Sequence, residues 1–282
     1  MVGVMRRVVL RVGLLGLGGV LGWSPSAARA EVPPPATTAF DAYVTTVEAG
    51  LAQEHRSHQG FLAGSAATSP GQAQLHRGET VIEELKTPKM PDAMLHDWRG
   101  SAFAPGAKAA DFEKLLRDFD EYSRVFAPQV TAAHALAADS DRAQGTMRVK
   151  QKHGITVVLD TTCDVRFGRL DPQDGWSASR STRVLEIADA GTSRERALAP
   201  NEEHGFLWRI NTYWSWQERD GGLYLQVESV SLTRAIPTGL GWIVGPFVES
   251  VPRESLEFTL HAAAAALGVR RGAVAETSTG NR

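Results

Sequence analysis

The sequence predicts an α+β protein, an antiparallel sheet with its helices set apart from the strands, and three observations carry that expectation. Residues 206–234, FLWRINTYWSWQERDGGLYLQVESVSLTR, alternate along two arms around Asp220-Gly221, which predicts a long β-hairpin with a two-residue turn. Between 129 and 187 further strand patterns follow one another, separated by turn-rich pieces such as Asp171-Pro172-Gln173-Asp174-Gly175. From 250 to 267, Leu256, Leu260, Ala263 and Leu267 recur on one side of a C-terminal helix.

Taken in order, the chain opens with Arg6 and Arg7, an apolar run over 8–23 and Ala28-Arg29-Ala30, the pattern of a signal peptide cleaved after Ala30. The run is short and Gly-rich beside the ~20 apolar residues that span a bilayer. A Pro-rich tether follows, then an amphipathic helix within 39–59 carrying Phe40, Tyr43, Val44, Val47 and Leu51. Residues 64–78, rich in Gly, Ser, Ala and Gln, read as an exposed connection. The ordered core starts near Glu79 with strands at 79–85 and 95–103. Phe112, Leu115, Leu116, Phe119, Tyr122 and Phe126 mark a helix or broken helix pair stopped before Pro128. Strands are expected at 129–136, 144–152, 155–169 and 176–187, then in both arms of the hairpin. An apolar piece, 242–248, leads to Ser250 as cap and Pro252 in the first turn of the last helix. The organisation is therefore a signal peptide (1–30), a tether, helix and connection (31–78), one domain (79–268) and a polar tail (269–282).

A turn at Asp220-Gly221 sets Trp216 opposite Leu225, Trp214 opposite Val227, Thr212 opposite Ser229 and Ile210 opposite Ser231. Large apolar groups interrupted by small hydroxyls suggest a concave wall around a cavity, so binding is favoured over chemistry; the other reading of this face is core packing alone against the C-terminal helix. Net charge is −2 with no basic run, which argues against nucleic acid as a partner. Arg148, Lys150 and Lys152 read as one solvated strand face paired to Asp160 or Asp164. Cys163 is the single cysteine, so no intrachain disulfide forms and burial must hold the fold; its place in the alternation makes it a core residue. His55 and His58 lie three apart without an HExxH pattern, and Glu202-Glu203-His204 sits in a turn; neither is read as a metal site, and no cofactor is implied.

HDWRGSAFAPG (96–106), Ser181-Thr182-Arg183, GFLWRINTYW (205–214), GGLYLQVESVSLTRAIPTGLGW (221–242) and SVPRESLEFTL (250–260) resemble exported bacterial START-like proteins of unassigned activity, within the SRPBCC or helix-grip superfamily. The resemblance implies a curved antiparallel sheet, START/Bet v 1-like, wrapped around the long C-terminal helix with an apolar ligand between them. Applied to this chain, it implies that Trp208, Ile210, Thr212, Trp214, Trp216, Leu225, Val227 and Ser229 line that space, with Leu256 and Leu260 from the helix. It transfers no catalytic set.

Alternation through Ser179, Ser181 and Arg183 turns the Arg183 guanidinium inward, where it would hold a ligand carboxylate or phosphate; an irregular strand would leave it outward. Glu228, opposite Tyr213, reads as a surface hydrogen-bonding group. Residues 242–248 read as a packed linker, or as a lid that touches a membrane during lipid exchange. The expected function is an exported binding protein for a hydrophobic small molecule or lipid, in the periplasm or outside the cell. The alternatives are a cavity-based enzyme of the cyclase or hydrolase type, which needs Arg183 and Glu228 to converge, and an interaction module whose N-terminal arm docks on a partner. Oligomeric state is not legible.

Overall fold

The alternating segments assemble into one antiparallel sheet. The computed structural model describes residues 32–90, 92–153, 155–235 and 251–268; the expected signal peptide, the 242–248 segment, the Ser250 cap and the polar tail lie outside them. The strands are β1 Val81–Glu84, β2 Ala93–Pro105, β3 Val130–Ala138, β4 Arg142–His153, β5 Ile155–Arg169, β6 Asp174–Ala188, β7 Arg196–Ala197, β8 Arg209–Arg219 and β9 Gly222–Arg234. Their order is β1-β2-β9-β8-β6-β5-β4-β3, with β7 pairing the end of β6. The helices are α1 Pro34–Glu54, α2 Ser69–His76, α3 Ala109–Arg117 and α4 Tyr122–Val125, and α5 over 251–268.

The hairpin between β8 and β9 forms in the expected register, with Trp216 opposite Leu225, Trp214 opposite Val227, Thr212 opposite Ser229 and Ile210 opposite Ser231. Asp220 and Gly221 both have positive φ, 56° and 75°, the signature of a turn whose twist matches the flanking strands. β9 then pairs with β2 from Ala93–Arg234 to Pro105–Gly222. This join places the first long strand beside the last.

α5 lies across the inner face of this join. Leu256, Leu260, Ala263 and Leu267 are buried against Phe112, Trp214, Trp216, Leu225 and Val227. Gly100 of β2 makes the approach possible: a Cβ there would fall 2.8 Å from Leu256 Cδ2 and from Leu260 Cδ1. Each large apolar side chain so buried contributes roughly 1.5–3 kcal/mol.

The outer face is buried too, and here the structure corrects the sequence. The helix expected within 39–59 begins earlier, at Pro34, because proline is tolerated in a first helical turn. Its Ala36, Phe40, Val44 and Leu51 pack on Leu95, Tyr213, Val230 and Leu232. The expected exposed connection contains α2, capped by the Thr68 hydroxyl on the Gly71 N–H at 3.2 Å, and its Leu75 is buried with Phe103 and Tyr224. Residues 32–78 therefore cover the outer side of β2, β9 and β8.

Polar side chains of that outer face find partners beneath the cover, as buried polar groups must. Arg99 donates to Glu228 Oε2 from Nε at 2.9 Å and Nη2 at 2.6 Å. Tyr43 Oη donates to Asp97 Oδ2 at 2.7 Å, and Tyr213 Oη to Glu48 Oε1 at 3.0 Å. Gln226 accepts from Ala63 N–H and donates to Ala63 C=O, both at 3.1 Å. Glu228 is thus a buried ion-pair partner, not a surface group, because α1 lies over the face that alternation marked as polar.

Candidate functional site

Between the inner face, α3, α4 and α5 lies a cavity of about 550 Å³, within the roughly 300–1,000 Å³ typical of small-molecule pockets. Its two sides differ chemically. Leu116, Phe119 and Phe126 from the α3–α4 region, with Met147, Val149 and Leu159 from β4 and β5, form a mainly apolar side, whose polar members include Thr161 and the mutually hydrogen-bonded Gln129, Gln151 and Ser255. The other side, on β6, β8, β9 and β2, is studded with Ser177, Ser179, Thr212, Ser229, Ser231 and His96 among Ile210, Trp214 and Val227.

Strand pairing orders these polar groups. Ser179 lies opposite Thr212, Thr212 opposite Ser229, and Ser229 opposite Trp98, so four neighbouring strands contribute one cross-strand row. Ile210, Ser231 and His96 follow in the next row. Among the described residues the hydroxyls of Thr212 and Ser229 have no hydrogen-bond partner, and the buried indole Nε1 of Trp98 has none either.

Burial shifts three titratable groups on the wall toward their uncharged forms. Burial lowers the pKa of His96, whose Nε2 lies 3.3 Å from Thr233 Oγ1. Burial raises the Cys163 thiol against weaker hydrogen bonds from Ser179 and Thr161. It raises the Tyr122 phenol as well, whose Oη donates to Leu116 C=O at 2.7 Å. No carboxylate lines the cavity among the described residues. One cationic side chain does, Arg234, beside His204 at the end formed by 204–207, 234–235 and 251–252. His204 Nδ1 is engaged by Glu186 Oε2 at 2.8 Å, and Phe206 beside it is 41% exposed.

Of the residues singled out in the sequence, Ile210, Thr212, Trp214, Val227, Ser229 and Leu256 stand on the cavity wall. Trp216, Leu225 and Leu260 do not; they fill the closed end of the inner face. Trp216 meets the Phe112 ring at 5.4 Å, and its indole lies over Gly175, where a Cβ would be 2.5 Å from it. Trp208 belongs to the outer face with Phe40 and Leu232, because it sits in a bend before β8 starts and escapes the strand's alternation.

Arg183 is exposed. Pairing of β5 with β6 shifts between Thr162–Arg183 and Cys163–Ser181, so Thr182 is an extra residue and the bulge inverts the alternation beyond it. Arg183 and Glu228 therefore do not converge. His55 is half-buried, its Nε2 2.7 Å from Ser215 Oγ, while the exposed His58 bonds Asp174 Oδ2 through Nδ1, near Asp171. Hydrogen bonds from Gln173 and Asp174 N–H to Asp171 Oδ1, and from Gln217 to Asp174, tie that cluster into the turn.

Sequence reasoning missed Trp98 and His96. Their signal lay in phase: both share the parity of Gly100, but a short HDW stretch gives too little alternation to fix an inner face until β9 supplies the register.

An antiparallel sheet in this order, with a terminal helix laid across the join of its first and last long strands and a cavity beneath, is a helix-grip α+β arrangement. No protein-family model matches the sequence, and no curated protein matches it. Similar solved structures include a STAR-related lipid transfer protein from Xanthomonas axonopodis, 18% identical over 66% of this chain and 98% of that one, TM-score 0.42. Human STARD10 is 8% identical over 76% and 85%, TM-score 0.43. The Zhui aromatase/cyclase from Streptomyces sp. R1128 is 15% identical over 63% and 96%, TM-score 0.42.

Proposed function

We propose that this protein is an exported carrier that binds a hydrophobic small molecule or lipid in the cavity beneath α5. The observation that supports it is the void itself: mainly apolar groups on one side and hydroxyls without a protein partner on the other. Burying apolar ligand surface there stabilises the complex by about 25 cal/mol per Å2 before the costs of association. Export rests on the N-terminal pattern ending at Ala30, which would place the carrier in the periplasm or outside the cell, and contact with a membrane would then be transient, at loading and release.

The test is native mass spectrometry of the chain expressed with its N-terminus intact, purified from the exported fraction and exposed to lipid extract. Retained adducts that disappear in a Thr212→Phe variant, whose ring occupies the cavity, are the expected result. Absence of any adduct in the wild type, or adducts indifferent to Thr212→Phe, would reject the carrier reading.

A further inference from the structure

The polar row narrows the ligand's chemistry, an inference that rests on the carrier reading. Three neighbouring strands bring Thr212, Ser229 and Trp98 into one line on the inner face, where directly opposed side chains are about 4.5–5.5 Å apart at Cβ. One oxygen atom can therefore reach two of the three. The two hydroxyls donate or accept, and the indole N–H only donates. Because all three are unpartnered among the described residues, a ligand oxygen seated there gains hydrogen bonds that the empty protein does not make.

Charge is the second consideration. A carboxylate or phosphate seated at this row would lose its hydration and meet no cation among the described residues: Arg234 lies further along β9, five residues beyond Ser229, at the Phe206 end of the cavity. Burying an unpaired anion is far costlier than burying a hydrogen-bonded hydroxyl or carbonyl. Across the cavity, Leu116, Phe119 and Met147 offer hydrocarbon contact alone.

We propose that the cavity takes an uncharged amphiphile, an alcohol, ester or ketone with an extended hydrocarbon part, whose oxygen binds the Thr212–Ser229–Trp98 row while the hydrocarbon lies against the α3–α4 side. Fatty acids and anionic lipids are discriminated against by desolvation, not by shape.

A matched pair tests this. Nile red, an uncharged dye whose fluorescence rises in apolar surroundings, is bound to the full mature protein and displaced by dodecanol or by dodecanoate at mildly alkaline pH, where the acid is ionised. Dodecanol should displace the dye at a concentration tenfold or more below dodecanoate. Combining Thr212→Val, Ser229→Ala and Trp98→Phe should weaken dodecanol about tenfold, its displacement constant being corrected for the dye's affinity measured directly on the same variant. The near-isosteric Thr212→Val alone, which keeps volume, should weaken dodecanol by a few fold.

Equal displacement by the two, or dodecanoate preferred and its binding lost in Arg234→Gln, would overturn the uncharged ligand and leave the carrier reading standing. Alcohol preference that survives Thr212→Val and the triple variant undiminished would overturn the row. Failure of the dye and both amphiphiles to bind would overturn the carrier reading itself.

Discussion

Asp97 is 1% exposed, accepts from Tyr43 Oη and carries an Oδ1 with no partner among the described residues. Burial, and next the charge of nearby Glu228, raise its pKa to about 7, against weaker opposing effects of Tyr43 and Arg99. A carboxyl group whose folded pKa is raised binds its proton more tightly in the folded state, so it favours folding most when protonated. That contribution is complete below the ordinary carboxylate range and is lost as pH rises through about 7. Wild-type stability should therefore carry a falling component between about pH 4 and 7, shared by Glu54, which burial also raises. Asp97→Asn should remove Asp97's share: the difference in urea midpoint between variant and wild type should move in the variant's favour across that window. A difference independent of pH would mean that Asp97 ionises normally beneath α1.

At the scale of elements, α1 is part of the folded unit. Phe40 is fully buried between α1 and the outer sheet face, and α1, His55 and the 58–63 segment together complete hydrogen bonds for Asp97, Tyr213, Ser215, Gln217 and Gln226. Phe40→Ala should cost about 3–5 kcal/mol, read as a lower melting temperature with a single cooperative transition. A chain beginning at residue 79 would leave the Arg99–Glu228 pair open to water and an apolar face uncovered, so it should aggregate or melt far earlier. A truncated chain as stable as the whole would make α1 a detachable arm. The strands were legible in the sequence because a period of two, broken by Asp220-Gly221, fixes both face and register. The cover was not: Phe40, Val44 and Leu51 mark an apolar helix side, but nothing local says which surface it seeks. Arg183 was misplaced for a related reason, since the bulge at Thr182 is set by pairing with β5 and leaves no trace in β6 alone.

For the whole molecule, the cavity and the stability of the fold oppose each other. With a single cysteine and no disulfide, the protein relies on burial, yet it leaves about 550 Å³ unfilled beneath α5. Unfilled core volume forfeits packing, on the order of 24 cal/mol per Å³ where a side chain has been removed, so a sequence selected for stability alone would place larger groups at Ser179 and Ser229. Both line the cavity in one cross-strand row with Thr212 between them, so that leucine side chains there would point into the unfilled volume, at the cost of the Ser179–Cys163 hydrogen bond. Ser179→Leu with Ser229→Leu should therefore gain about 0.5–2 kcal/mol, the usual yield of cavity filling, and raise the melting temperature of the ligand-free protein. The same pair should abolish uptake of Nile red. Greater stability together with lost binding would identify the void as a functional expense of the fold. Lower stability together with retained binding would mean that the inner face is already tightly packed there and that the ligand space lies elsewhere.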